Sequence, residues 1–86
     1  MSVSSKFLGM YFKKEDTFFF VREITERWES QETARCIAIT IDTDNNIFSI
    51  DNRRTVTVHS GSNFIDKYDF KNAMSKCIEE LNKQIL

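Results

Sequence analysis

The stretch TFFFV at residues 17–21 constrains this chain more than any other. It is rich in aromatic and β-branched residues and reads as a strand. Successive strand side chains point to opposite faces. Phe19 and Val21 therefore share one face, and Phe18 and Phe20 share the other. A strand apolar on both faces belongs to a sheet that needs two covers. With 86 residues the chain has room for one domain. A domain that small buries a modest share of its surface, so its core has to be dense. Eight Phe, two Tyr and one Trp supply that density.

The segments around this strand set out a meander. A short polar arm occupies residues 1–5. KFLGMYFKK follows, rich in β-formers, and Gly9 within it suggests a bulge or bend where the sheet curls. Residues 13–17 read as a tight hairpin. In TFFFVREITERW, the period of two puts Phe19, Val21, Glu23 and Thr25 on one face. It puts Phe18, Phe20, Arg22, Ile24 and Trp28 on the other. ESQET is a polar break. ARCIAITID is a strand with Ile37, Ile39 and Ile41 on one side and Cys36, Ala38 and Thr40 behind. TDNN is turn chemistry, since Asn and Asp tolerate positive φ. In IFSIDNRRTVTVH the apolar parity of Phe48, Ile50, Val56 and Val58 survives across DNRR. The segment is one long strand, or two joined at a bulge or turn near residues 51–53. SGSN is loop.

The C-terminal segment is helical. Phe70, Ala73, Met74, Cys77, Ile78, Leu81 and Ile85 recur at steps of three and four. Asp66 can cap its start, and Ile65 and Phe70 can form a hydrophobic staple across the cap. The expected fold is α+β: an antiparallel β-meander of four to five strands over about residues 6–59, packed by one amphipathic helix over about 66–85. The second apolar face is covered either by curling of the sheet into a half-barrel or by another chain.

Several functions are disfavoured by the same residues. Twelve basic and thirteen acidic residues leave a net charge of −1, without the basic excess of a general nucleic-acid or anionic-membrane binder. Cys36 and Cys77 match no zinc spacing. No apolar run suits a signal peptide or a membrane span, so a cytoplasmic protein with reduced thiols is expected. Asp42, Asp44 and Asn46 open like a calcium loop. Counted from Asp42, however, the sixth position is Ile47 and the twelfth is Arg53, where that loop needs Gly and Glu. A hairpin turn without metal is expected. His59 lacks a readable acid and nucleophile and reads as a strand-end surface residue. Cys77 falls on the helical stripe as a small core residue, and no basic cluster marks Cys36 as an activated thiolate. Phosphate-loop and dinucleotide fingerprints are missing, because two glycines cannot build them. No enzyme chemistry and no cofactor are expected.

Two binding readings stay open. Arg53 and Arg54, with Lys67 and Lys71, could form a basic patch. With Tyr11, Phe18, Phe20 and Trp28 this has the ingredients of an aromatic sheet that stacks bases. Glu23, Glu26, Glu29 and Glu32, interrupted by Arg22 and Arg27, read as a solvated strand end and loop. They could also meet a basic partner.

FLGMYFKKEDTFFFVREI at one end and IDKYDFKNAMSKCIEEL at the other resemble the short orphan accessory proteins of large tailed bacteriophages. Those proteins begin with a Gly-x-Tyr-Phe-Lys hairpin, matched by Gly9 to Lys13, and end with a capped helix carrying Phe-x-x-Ala, matched by Phe70 and Ala73. The resemblance covers about a third of the chain and carries no residue roles. It implies a phage or prophage protein in a bacterial cytoplasm that acts by binding, for instance as an inhibitor of host defence. The expected function is thus a non-enzymatic protein-binding module, self-associating or bound to another protein. The alternative is a small nucleic-acid binder using an aromatic sheet face. The binding residues expected are Trp28, Phe18, Phe20, Ile24, Arg53 and Arg54, with Trp28 as interface anchor.

Overall fold

The computed structural model describes residues 6–85. The polar arm expected at residues 1–5 lies outside them. Five strands and one helix follow in order: β1 (Tyr11–Lys14), β2 (Thr17–Arg27), β3 (Gln31–Asp42), β4 (Ile47–His59), β5 (Asn63–Ile65) and α1 (Lys67–Ile85). All strand pairs are antiparallel, in the order β4-β3-β2-β1-β5. The first four make the expected meander. Glu15 and Asp16 form the two-residue turn between β1 and β2, with Glu15 at φ 54°.

The connection from β4 to β5 decides the shape. These strands lie at opposite edges of the sheet, yet only residues 60–62 join them. Four strand spacings across a flat sheet come to ~19 Å. Four residue steps reach at most ~14 Å. The turn is tighter still: the Ser62 N–H donates to the His59 carbonyl at 3.0 Å, and the His59 N–H to Ser62 Oγ at 3.2 Å. The sheet therefore curls until its outer strands meet. Thr57 and His59 of β4 accordingly line a cleft with Phe12, Lys13 and Lys14 of β1. No ladder joins β4 to β5, so the curl stops short of a closed barrel.

Each face of the sheet has its own core. Phe7, Phe12, Phe19, Val21, Ala34, Cys36, Ala38 and Val58 are buried together, with Ile24, Val56 and Phe64 against them. Side chains from both outer strands meet there, so this is the inside of the curl. The rings of Phe12 and Phe19 stack at 4.7 Å, and those of Phe7 and Phe64 at 5.8 Å. On the outside, α1 lays Phe70, Ala73 and Cys77 over Ile39 and Phe48, flanked by Tyr11, Phe18, Phe20, Ile37 and Ile41. The Phe70 ring lies 5.3 Å from Tyr11 and 6.2 Å from Phe20.

The structure corrects the expected faces. The β2–β3 register slips between Val21 and Glu23, and again between Ile24 and Glu26. One inserted residue exchanges the faces of everything beyond it. Phe18 and Phe20 lie under α1, while Ile24 packs inside the curl. Phe18, Phe20, Ile24 and Trp28 therefore do not form one surface. β4 is a single long strand, and its register shift falls at the expected place: Asp51 opposes Ala38 and Arg54 opposes Cys36. Its apolar parity does not survive, because Phe48 joins the helix-side core and Val58 the inner one. Gly9 sits before β1 rather than within it. At φ 83° it turns the chain, its N–H bonded to the Val21 carbonyl at 3.0 Å.

The helix start is as expected. Asp66 Oδ1 accepts the Asp69 N–H at 2.9 Å, and Ile65 and Phe70 share the helix-side core. The apolar stripe is narrower than its periodicity suggests. Ile78 is 45% exposed and Ile85 80%. Steps of 100° put both of them ~80–100° around the helix from Cys77, at the margin of the buried arc.

Phe70 holds both ends of the outer core, touching β1 and β2 rings. Phe70→Ala should cost about 3–5 kcal/mol in urea unfolding. Lys71→Ala, on the exposed side of α1, should stay within about 0.5 kcal/mol of wild type. Equal losses for the two would contradict the docking of α1.

Candidate functional site

β2 and β3 outrun β1. Tyr11–Lys14 pair with residues 17–20, and Met10 and Gly9 bond only as far as Val21. Beyond that point β2 is the free edge of the sheet, while β3 stays paired with β4 as far as Gln31 opposite His59. Its tip is tight, with the Trp28 N–H donating to the Gln31 carbonyl at 2.8 Å across Glu29 and Ser30. Just below the tip, Arg27 Nε lies 3.2 Å from Glu32 Oε2. Glu32 is 4% exposed. It is therefore no part of a solvated acidic face, and the ion pair stands at the end of the inner core. A carboxylate buried this far depends on its cation, since an unpaired buried charge is costly.

Trp28 belongs to neither core and is 48% exposed. One groove beside it, about 450 Å3, is lined by Phe7, Arg27, Trp28, Glu29 and Ser60 among others. A second, about 530 Å3, runs along β2 from Arg22 to Arg27 beneath Leu8. Leu8 and Met10 are also exposed, at 55% and 37%. This end of the sheet thus combines apolar surface with charges of both signs.

The remaining expected site residues are dispersed. Phe18 carries the Lys13 ammonium 5.0 Å above its ring, at the edge of an amphipathic cleft between α1 and the β1–β2 hairpin. With Tyr11, Phe18 and Phe20 in the helix-side core, the aromatic sheet face is not open to bases. Arg53 and Arg54 are adjacent in a strand and so diverge. Arg53 instead lines a groove with Arg22 and Arg35, a grouping that sequence reasoning missed because it depends on bulges in two strands.

Groups suited to catalysis are engaged structurally. His59 Nδ1 accepts the Gly61 N–H at 2.9 Å, which puts the proton of the neutral ring on Nε2. A Cβ on Gly61 would meet the His59 ring at 3.0 Å, so a larger residue there would push the ring aside. Cys36 is fully buried in the inner core, and burial pushes its thiol up to about 11. Burial raises the Cys77 thiol as well. The stretch from Asp42 to Asn46 closes the β3–β4 hairpin. Asp42 accepts the Asn45 side-chain amide at 2.8 Å and the Asn45 N–H at 3.2 Å, which lower its pKa in that order. Asn46 takes φ 55°, as turn chemistry requires. No group of three or more His, Cys, Asp or Glu suited to a metal occurs among the described residues. No helix among them is long and apolar enough to cross a membrane.

No family model, curated protein or solved structure matches the chain.

Both thiols are buried and held in the protonated form. Iodoacetamide at neutral pH should leave Cys36 and Cys77 unmodified in the folded protein and label both in urea. Rapid native labelling of Cys36 would contradict the inner core. Because the fold keeps the Cys36 proton beyond the pH at which the unfolded thiol releases it, this contribution to stability is complete below about pH 9. It is lost as pH rises toward 11. Calcium should leave the melting temperature unchanged, since a specific ligand of the native state has to raise it. A saturable rise abolished by Asp44→Ala would mean that the hairpin is a metal loop.

Proposed function

We propose that this chain is a non-enzymatic protein-binding module that engages its partner with the Trp28 end of the β2–β3 hairpin. The observation that carries this reading is the position of Trp28. A tryptophan at a hairpin tip, half exposed and in neither core, is not called for by the packing of either core. Its indole offers a large apolar body with one donor at little entropic cost, the profile of an interface anchor. Leu8 and the charged β2 residues beside it supply the surrounding apolar and polar surface.

Catalysis draws no support from the site, because both thiols are buried and protonated and His59 serves a turn. A nucleic-acid reading loses the stacking surface it relied on, as Phe18 and Phe20 lie beneath α1. The resemblance of both chain ends to phage accessory proteins supports a role in a bacterial cytoplasm. There the module would bind and inhibit a host protein, for instance one of the defence machinery. Self-association through the same hairpin tip is compatible with the surface.

Trp28→Ala should weaken capture of a bacterial protein, or self-association followed by light scattering across concentration. The loss should exceed about tenfold, a typical anchor effect. Stability should change by no more than about 1 kcal/mol, because the side chain is half in water already. Capture abolished by nuclease would point to nucleic acid instead. A folded Trp28→Ala variant that associates as wild type would refute this surface.

A further inference from the structure

Two bulges lie at the same level of the sheet, on either side of β3. In β2, Val21 opposes Cys36 and Glu23 opposes Arg35, so Arg22 is the inserted residue. In β4, Asp51 opposes Ala38 and Arg54 opposes Cys36, so Asn52 and Arg53 together oppose Ile37. Bulges re-aim side chains. Here they bring Arg22 from β2 and Arg53 from β4 alongside Arg35 of β3. The three arginines line one polar groove of about 500 Å3 with Glu23 and Thr55.

The groove carries an excess of positive charge. Three guanidiniums face one carboxylate, leaving two positive charges from its lining residues. Glu23 Oε1 holds Arg35 Nη1 at 2.7 Å. Arg22 Nη1 donates across the sheet to the Asn52 carbonyl at 2.9 Å, a neutral acceptor that ties one bulge to the other. The Asp51 carboxylate is occupied with the Arg53 main-chain N–H at 2.9 Å. No acceptor within hydrogen-bonding distance of the Arg53 guanidinium occurs among the described residues. Each guanidinium has five donors in a planar fork that matches phosphate oxygens two at a time. No aromatic side chain lines the groove, so recognition there rests on charge and hydrogen bonding rather than base stacking.

We propose that this groove binds a small polyphosphate anion, with Arg22, Arg35 and Arg53 as its ligands and the Thr55 hydroxyl as a further donor. The volume exceeds a single phosphate, and the arginines come from three strands, which suits an anion with two linked phosphate groups. Glu23 is the internal competitor. It orients Arg35 when the groove is empty and opposes the incoming anion. Trp28 does not line this groove, which shares only Arg22 and Glu23 with the one beneath Leu8, and the proposal does not rest on the protein-binding reading.

Titration of the full chain with pyrophosphate at low ionic strength, followed by amide and arginine Nε NMR shifts, tests this. Saturable shifts are expected at Arg22, Glu23, Arg35, Arg53 and Thr55. Arg53→Ala should weaken binding about tenfold, and Arg53→Lys, which keeps the charge and loses the fork, by less. Glu23→Gln should tighten binding. Thermal melts of each variant confirm that it is folded, and the exposed positions make loss of the fold easy to separate from loss of the site. Shifts that do not saturate, or binding that Arg53→Ala and Arg53→Lys leave unchanged, would overturn the proposal. So would binding of a single-stranded oligonucleotide at the groove without binding of pyrophosphate.

Discussion

Everything in this fold follows from β2 being apolar on both faces. One helix can cover one face of a sheet. The other face has to find apolar partners, and the chain supplies them by curling the sheet on itself. Phe19 and Val21 meet Val58 from the β4 edge and Phe12 from neighbouring β1. Phe18 and Phe20 meet Phe70 and its neighbours on α1. The small turn at residues 60–62 is what makes both solutions compatible. It returns the chain from the end of β4 to the other edge, where β5 leads directly into the helix cap at Asp66. Were that turn long, α1 could start elsewhere and the curl would lose its tether.

The bulges are the second consequence. A strongly curled sheet twists unevenly, and inserted residues accommodate the change. In β2 they move Ile24 into the inner core although its parity assigns it outside. In β4 the insertion lets one strand serve the helix-side core with Phe48 and the inner core with Val58. The same insertions leave extra polar side chains on the outer face beyond the reach of α1. There Arg22, Arg35 and Arg53 converge. Curling, the double core and the arginine groove are thus one geometric event seen at three places.

What could be read in the sequence was local. The Asp66 cap, the turn at residues 42–46 and the strand character of ARCIAITID depend on neighbours within a few residues, and each appears as expected. The register slip near Arg22 was not legible, because VREIT alternates acceptably in either register and the choice is made by β3. The exposure of Ile78 and Ile85 was hidden for a related reason: periodicity marks an arc, while the width of the buried arc is set by the sheet beneath. Trp28 could be singled out by residue type, but its freedom from both cores depends on how far β2 projects past β1. The arginine groove draws on three strands and was invisible to any local pattern.

The central claim is that one chain covers both faces of its own sheet. Isotope-filtered NMR of labelled protein diluted into an excess of unlabelled protein tests it most directly. Nuclear Overhauser contacts between the Phe12 and Phe19 rings and the Val58 methyls should persist within the labelled chain at full intensity. Their absence there, with contacts appearing between labelled and unlabelled chains instead, would mean that a second copy fills the inner face and that the curl does not close over it.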